Sequence, residues 1–203
     1  IFSLGMTGRF QYVAGNHSHI ILEIRSKDKV YNLYFDDQRY MGNVLIISLN
    51  DVNSYFSKLG PDLLSSVIDR DQWLSIFKIR RNMNKQIHKI LVDQSLVSGI
   101  GHYLMTEILY YCGISPRRLG KNISDEEWEL LRIVSHNLIY VSYSYGGLTI
   151  KDYISPDGET GIFPAVIYGN KSSTDPLGNP IIHEKADNSK GSRTLHWVPN
   201  VQI

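Results

Sequence analysis

One turn-forming segment, Leu59–Asp62, separates two stretches of this chain that have different hydrophobic patterns. Before it, short runs of β-branched and aromatic residues alternate with turns, and after it apolar residues recur at helical spacing. The segment contains Gly60 followed by Pro61, a pair that interrupts strands and helices alike. The sequence therefore predicts an α+β fold built from two parts.

The first part, residues 1–58, has the composition of a β structure. Its three clearest strand signals are Ile20–Ile24, Val30–Phe35 and Val44–Ile47. Ile1–Leu4 resembles the middle of a strand, so we expect further residues to precede it in the natural protein.

Helices are predicted for the second part, which begins after a linker at residues 59–65 and extends over residues 66–164. Ser124–Glu127 has the Ser-x-x-Glu form of a capping box and predicts a long helix that ends near Tyr143. Residues 165–203 alternate short apolar runs with polar turns, which indicates a β-hairpin.

The composition restricts the chemistry that the chain can carry. Its 203 residues include 42% hydrophobic residues, enough for a buried core. The single cysteine, Cys112, excludes an intrachain disulfide and an all-cysteine metal site, and the seven histidines lack partners at metal-ligand spacing. No apolar run approaches the roughly 18 residues of a membrane span. We expect no metal, no cofactor and no membrane partner.

Basic residues are concentrated in one region, although the formal net charge is only +1. Between Arg70 and Lys121, nine Lys and Arg residues oppose three acidic residues, a local excess of +6. Such a concentration attracts phosphate groups. A solvated helical face has the same composition, so the charge alone leaves both interpretations open.

Two glycines, Gly99 and Gly101, stand directly before a helix that is predicted from about His102 to Cys112. Glycine lets the backbone approach a ligand closely, and the first N–H groups of a helix together with its dipole favour an anion. The pattern predicts a phosphate site that includes Gly101 and His102. A tight turn between two helices is the alternative.

Two further segments carry side chains suited to nucleic acid. Asp37–Gly42 is a predicted hairpin tip that holds Arg39 and Met41, and such residues can be inserted into a base stack. An ordinary turn with Met41 in the core is equally compatible with the sequence. Arg193 lies at another predicted turn, where it either contacts a phosphate or is solvated.

These features occur in the same order, and with fitting spacing, as motifs of the formamidopyrimidine-DNA glycosylase/endonuclease VIII family, which the whole chain resembles. The matching segments are Leu4–Phe10, His17–His19, Phe35–Gly42, Leu59–Asp62, Leu91–Gly101, Glu107–Pro116, and Gly146–Phe163 with Tyr168–Gly169. The resemblance implies part of an N-terminal β-sandwich, a helix–two-turn–helix domain and a C-terminal finger.

The resemblance also implies roles for individual residues. Met6, Arg39 and Met41 match the positions that fill the space left by an everted nucleotide, with Arg39 facing the orphaned base. Lys151 lies in the segment that matches the loop closing over the flipped base, and we expect it to contact DNA. Extruding a base costs a few kcal/mol, and the inserted side chains offset part of that cost.

Two departures from the family pattern concern phosphate and zinc. His102 replaces an asparagine that contacts phosphate, and an imidazole can still donate an N–H there. The four zinc-ligand positions of the family finger are occupied by Asp175, Gly178, Val198 and Val201. We therefore expect a finger without zinc, in which Arg193 keeps its place as the DNA-binding arginine and Trp197, Val198 and Val201 pack where the metal would lie.

A third departure concerns the nucleophile. The family begins with a proline and a glutamate, and the proline amine attacks C1′ of the damaged nucleotide to form an imine. Neither residue is present at Ile1, and we expect about 70 preceding residues from the usual size of the fold. The complete protein is expected to be a monomeric DNA glycosylase and abasic-site lyase that excises oxidised bases from single- or double-stranded DNA by β,δ-elimination.

Two other functions are compatible with the sequence. One is a non-catalytic module that binds damaged or abasic DNA, which applies if the complete gene lacks the proline–glutamate start. The other is a helix–two-turn–helix protein of ribosomal or topoisomerase type, which the base-recognition loop and the finger remnant oppose. The sequence assigns neither a cellular compartment nor a preferred lesion.

Overall fold

The structure, a computed structural model, describes residues 1–148, 159–170 and 172–203. The chain divides into two compact units. The first consists of Ile1–Tyr55 and Ser144–Phe163, and the second of Phe56–Tyr143 and Pro164–Ile203. No helix among the described residues is both long and apolar enough to cross a membrane.

The first unit is built on an antiparallel three-stranded sheet. Its strands are β2 (Gly8–Gln11), β3 (Ser18–Ser26) and β4 (Lys29–Asp37), and β4 lies in the centre. A second antiparallel pair joins β1 (Phe2–Ser3) to β5 (Asn43–Val44).

Three aromatic rings connect these two sheets. The ring of Phe2 lies 4.9 Å from that of Phe10 and 5.6 Å from that of Phe35, measured between centroids. Phe10 and Phe35 are themselves 5.5 Å apart. Tilted and edge-on contacts of this kind contribute about 0.5–1.5 kcal/mol per pair beyond the burial of apolar area.

The strand predicted at Val44–Ile47 is wrong in extent. Strand β5 ends at Val44, and Ile46 is 99% exposed, so no layer among the described residues covers it and holds a longer strand. Ser48 instead precedes a helical stretch, and its carbonyl accepts the backbone N–H of Asp51 at 3.1 Å. A 3₁₀ turn (Leu49–Asp51) and helix α1 (Val52–Phe56) follow.

The second unit is helical, as predicted. Its helices are α2 (Arg70–Phe77), α3 (Arg80–Met83), α4 (Ile87–Leu91), α5 (His102–Tyr111) and α6 (Asp125–Ser144). A 3₁₀ turn at Gly120–Asn122 precedes α6. The core between these helices contains three fully buried aromatic side chains, Trp73, Phe77 and Trp128, which contact one another in sequence.

The ends of the two longest helices are set by local sequence. The Ser124 hydroxyl accepts the backbone N–H of Glu127, and the Glu127 carboxylate accepts the backbone N–H of Ser124, which confirms the predicted capping box. Helix α5 begins at His102 and ends before Cys112, and Gly113 follows with a φ of +67°. The predicted bounds of α5 are therefore confirmed.

The C-terminal hairpin is formed by β6 (Ile182–Lys185) and β7 (Thr194–Trp197), which pair antiparallel. Leu195 of β7 is buried in the helical core, and Trp197 packs against the same core. The hairpin is thus part of the helical unit.

Candidate nucleic-acid interface

A solvent-accessible cavity of about 330 Å³ lies in the helical unit, between the start of α5 and the C-terminal hairpin. Its lining consists of His102, Tyr168, Ser192, Arg193, Thr194 and His196. The predicted phosphate residues His102 and Arg193 therefore lie on one cavity, although 90 residues separate them in the sequence. No carboxylate lines this cavity in the part of the chain that the structure describes.

The cavity is lined at one side by the first residue of α5. Gly101 is the N-cap residue, has extended backbone, and has no described atom within 4 Å of the position where a Cβ would stand. No side chain of the described ranges caps this helix, so its first N–H groups are available for an anion. Burial and the nearby positive charge of Arg193 lower the pKa of His102, which favours the neutral imidazole in the free protein.

Arg193 is placed by the turn that joins β6 to β7. Gly191 takes a φ of +86° within this turn, and the Ser192 hydroxyl accepts the backbone N–H of Asp187 at 2.9 Å. Lys89 of α4 forms an ion pair with Asp187 at 3.4 Å, which ties the turn to the helices. These contacts hold the backbone that leads into Arg193.

The hairpin is also held by Arg117, which precedes the Gly120–Asn122 turn. Its guanidinium donates to the Glu184 carboxylate at 2.7 Å and to the carbonyls of Lys185 and Ala186 at 2.8 and 3.3 Å. Glu184 also accepts the indole N–H of Trp197 at 3.0 Å. Arg117 therefore fixes β6, and with it the strand that carries Thr194 and His196.

Tyr168 was not predicted from the sequence as a cavity residue. Its backbone N–H donates to the buried carboxylate of Glu107 at 2.7 Å, and the N–H groups of Val166 and Ile167 donate to the same carboxylate at 2.9 Å. Burial raises the pKa of Glu107, while these three bonds oppose that rise. A carboxylate on α5 thus sets the path of the segment that carries Tyr168.

His196 is the second residue that sequence reasoning missed. Its ring lies 5.3 Å from Tyr168 and 4.4 Å from His183 on the paired strand. The alternation of β7 gives the only sequence signal, because Thr194 and His196 share one face and Leu195 faces the core. That alternation is too short to be read without the structure.

The four positions that hold zinc in the family finger do not fit a metal here. Asp175 is committed to hydrogen bonds, since its carboxylate accepts from Asn179, Leu177 and the Tyr110 hydroxyl. Val198 is fully buried with Ile167 and Ile181, and Val201 packs against them, while Gly178 has only its backbone to offer. No group of three or more His, Cys, Asp or Glu side chains suited to a metal occurs among the described residues.

The packing predicted for this finger is confirmed for Val198 and Val201. Trp197 differs, because it packs on the larger helical core instead. Gln202 completes the arrangement: its side chain accepts the Val198 N–H at 2.7 Å and donates to the Ile114 carbonyl at 3.0 Å. Apolar contacts and a few polar bonds thus hold the segment.

Three other candidate residues lie in the first unit: Arg39 and Met41 on the turn that follows β4, and Met6 between β1 and β2. Asp37 is buried at the start of the turn after β4, and its carboxylate accepts the Thr7 hydroxyl and the backbone N–H groups of Gly42 and Arg39, at 2.6 and 3.3 Å for the last two. Burial opposes ionisation, but these bonds prevail and hold the pKa of Asp37 below its usual value. The turn is therefore built around one carboxylate.

The same turn presents Met41 to solvent. Met41 is 56% exposed and Met6 is 47% exposed, so Met41 does not lie in the core. Gly5 has a φ of +61°, and a Cβ at this position would lie only 2.8 Å from the backbone of Met41. Because glycine has no Cβ, the two turns can pack closely. Tyr40 also has a positive φ, of 52°, and its ring lies 4.4 Å from His19. Arg39 sits on this turn with its backbone fixed by Thr7.

One predicted DNA contact, Lys151, lies outside the described residues, within the gap at 149–158.

The positive charge of the basic region between Arg70 and Lys121 is partly compensated by acidic residues outside that region. Five of its nine basic residues form ion pairs with described residues, and four of those partners lie outside the region: Asp125, Glu127, Glu184 and Asp187. The local excess of +6 thus overstates the positive charge that attracts a ligand to this region.

By its fold, the chain is an α+β protein whose helical unit contains a helix–two-turn–helix module. Residues 59–153 match the model of the formamidopyrimidine-DNA glycosylase H2TH domain. The formamidopyrimidine-DNA glycosylase of Zymomonas mobilis is 31% identical over 188 residues, covering 89% of this chain and 67% of the relative. That of Stenotrophomonas maltophilia strain K279a is 29% identical over 210 residues, covering 100% of this chain and 74% of the relative.

Solved structures give the same result. The MutM (Fpg) protein from Thermus thermophilus superimposes with a TM-score of 0.84 at 25% identity, over 99% of this chain and 74% of that one. Lactococcus lactis Fpg, in complex with DNA that contains an abasic site, has the same fold with a TM-score of 0.81 at 23% identity, over 99% of this chain and 73% of that one. The chain belongs to the formamidopyrimidine-DNA glycosylase/endonuclease VIII family.

Proposed function

We propose that the protein is a DNA-repair glycosylase that recognises damaged or abasic nucleotides in DNA as a monomer. The cavity that joins His102 to Arg193 carries this proposal. It places an imidazole, a guanidinium and an uncapped helix start on one surface that lacks carboxylates among its described lining residues. Such a surface suits a backbone phosphate, which binds through charge and N–H donors without reading the base.

The turn at Met41 supplies the second element of the proposal. An exposed methionine on a backbone held by Asp37 can enter a base stack without first leaving a core. Inserting an apolar side chain offsets part of the few kcal/mol that eversion of a nucleotide costs. Arg39 lies on the same turn, and we assign it to contact the orphaned base. We assign Lys151 to the loop that closes over the flipped base.

The chemical steps require a nucleophilic amine, which the family takes from its N-terminal proline. We therefore assign base excision, imine formation and β,δ-elimination to a chain that begins with the proline and glutamate of the family. Residues 1–203 alone are assigned DNA binding only.

Two measurements on the 203-residue chain test this assignment. Fluorescence anisotropy with a labelled duplex should show at least about tenfold tighter binding to a tetrahydrofuran abasic-site analogue than to the intact duplex, a difference of about 1.4 kcal/mol. Equal affinity for both duplexes would contradict the damage-recognition part of the proposal. Borohydride reduction with abasic-site DNA should give no covalent adduct with residues 1–203, and an adduct would show that an amine among these residues acts as the nucleophile.

A non-catalytic module that binds damaged DNA is the second candidate function. The cavity of His102 and Arg193 and the exposed Met41 favour it, because such contacts hold DNA without any chemical step. The two functions separate in one assay of the complete gene product on DNA that contains an oxidised base. Release of the base and strand cleavage support the glycosylase, whereas tight binding without cleavage supports the module.

A further inference from the structure

The cavity described above contains two imidazoles beside one guanidinium. His102 stands at the start of α5, His196 on β7, and Arg193 at the turn before that strand. An arginine provides a permanent positive charge, whereas a histidine provides one only when it binds a proton. The charge that this cavity offers to a phosphate therefore depends on the state of its two histidines.

Both imidazoles are held in the neutral form in the absence of a ligand. Burial, and then the charge of Arg193, lower the pKa of His102. Burial, and then the neighbouring His183, lower the pKa of His196. Among the described residues, the groups that face them are the cationic Arg193, the imidazoles of His88 and His183, and the phenol of Tyr168. None of these stabilises an imidazolium as a carboxylate would.

One ring nitrogen of each imidazole has no hydrogen-bond partner among the described residues. The Nδ1 atoms of His102 and His196 are both buried without one. A buried polar atom without a partner costs about 1–3 kcal/mol. An anion in the cavity favours the protonated form of each ring through its charge, because it offsets the repulsion from Arg193.

We propose that His196 is a second imidazole ligand of the bound phosphate beside His102, and that the pair takes up protons from solution when DNA binds. The inference rests on the proposed DNA-binding function and adds to it a residue and a dependence on pH. The asparagine that the family has at position 102 cannot take part in such an uptake, since an amide does not titrate near neutral pH.

The sign of the effect follows from linkage. In the free protein both pKa values lie below the usual 6.5, so the rings are neutral at pH 7. In the complex the phosphate raises them. Between the free and the bound values, the complex holds more protons than its components, so affinity increases as the pH falls through that window. Each coupled proton changes the affinity by at most about tenfold per pH unit.

Isothermal titration calorimetry on the unmodified chain measures the uptake directly. The ligand is a duplex with a tetrahydrofuran abasic-site analogue, at pH 7 and constant ionic strength, in two phosphate-free buffers of different ionisation enthalpy. The difference in observed enthalpy gives the number of protons bound. We expect an uptake of up to about two protons per complex, one for each imidazole.

Variants assign the protons to residues. His102→Asn and His196→Asn should each remove about half of the uptake, and the double variant should bind DNA with an affinity that is flat from pH 6 to 8. His136→Asn is the matched control, because His136 is half-buried in the same unit and burial lowers its pKa too, yet it does not line the cavity. It should leave the uptake unchanged.

The results of these measurements distinguish a failure of proton uptake from a failure of the proposed DNA binding. DNA binding without proton uptake, or uptake that persists in the double variant, would overturn the inference and leave the proposed function in place. Uptake lost in His102→Asn but not in His196→Asn would overturn the assignment of His196. Failure to bind abasic-site DNA at any pH from 6 to 8 would overturn both.

Discussion

The carboxylate of Glu107, on α5, accepts the backbone N–H of Tyr168 at 2.7 Å. Two preceding N–H groups donate to the same carboxylate, so one buried side chain satisfies three consecutive donors of an irregular segment. This arrangement connects the helix that carries His102 to the segment that carries Tyr168, and both of these residues line the cavity.

Replacing Glu107 by glutamine should destabilise the protein by about 1–3 kcal/mol. The amide of the new side chain can accept two of the three N–H groups, but its NH₂ group faces the third, which is left buried and unsatisfied. Thermal or urea unfolding measures the loss. Glu129→Gln is the matched control, since Glu129 pairs with Arg132 at the surface of the same unit, and it should cost less than about 1 kcal/mol. Equal losses in the two variants would contradict the role of Glu107.

The turn that carries Met41 should respond to acid through Asp37. The pKa of this carboxyl is lowered in the folded state, so the stability it contributes is present above the unfolded value of about 3.9 and is lost as the pH falls through the folded value. Thr7→Val removes one donor, raises the folded pKa and should cost about 1–2 kcal/mol at pH 7. In thermal unfolding between pH 2 and 6, the acid loss of the variant should therefore be smaller and end at a higher pH than that of the wild type.

Thr174→Val serves as the comparison for that experiment. Its hydroxyl contacts Ser172 rather than a carboxylate, so its acid profile should match that of the wild type. A Thr7→Val profile that is superimposable on that of the wild type would show that the Thr7 hydroxyl does not support the ionised form of Asp37.

Arg117 should affect DNA binding without touching DNA. Arg117→Ala releases the hairpin at Glu184 and at two carbonyls, and we expect about tenfold weaker binding of abasic-site DNA. The salt dependence of binding should stay unchanged, because no phosphate contact is removed. Arg117→Lys, which keeps the charge but not the fork of donors, should recover only part of the affinity. A reduced salt slope in Arg117→Ala would mean that the residue contacts phosphate itself.

Met41→Ala should weaken binding to duplex DNA that has an abasic site by about tenfold, and leave the unfolding temperature unchanged, because the side chain is more than half exposed. A fluorescent 2-aminopurine next to the site should report less unstacking in this variant. Ile46→Ala removes an almost fully exposed apolar side chain of the same unit and should change neither quantity. If both variants lose the same affinity, Met41 has no special role as a wedge.

The features that the sequence predicts correctly depend on near neighbours. The start and end of α5 follow from Gly101 and Gly113, and the start of α6 follows from four consecutive residues of a capping box. The α+β class also follows from periodicity, which each segment carries within itself.

The features that it misses depend on distant neighbours. Val44–Ile47 has the composition of a strand, but β5 ends at Val44, and no described layer covers Ile46. Glu107 has the appearance of a surface residue on a helix, because its partners at residues 166–168 lie about 60 positions away. His196 joins the cavity only because β7 pairs with β6 and turns its alternate side chains away from the core.

The salt dependence of DNA binding tests the central claim most directly, namely that His102 and Arg193 hold one phosphate in the same cavity. For the wild type, Arg193→Ala, His102→Ala and the double variant, affinity for abasic-site DNA is measured from about 50 to 200 mM salt at pH 6.5. Arg193→Ala should reduce the slope of log K against log salt by about 1, and the losses of affinity in the two single variants should be non-additive in the double variant. Strictly additive losses with an unchanged slope would contradict the account.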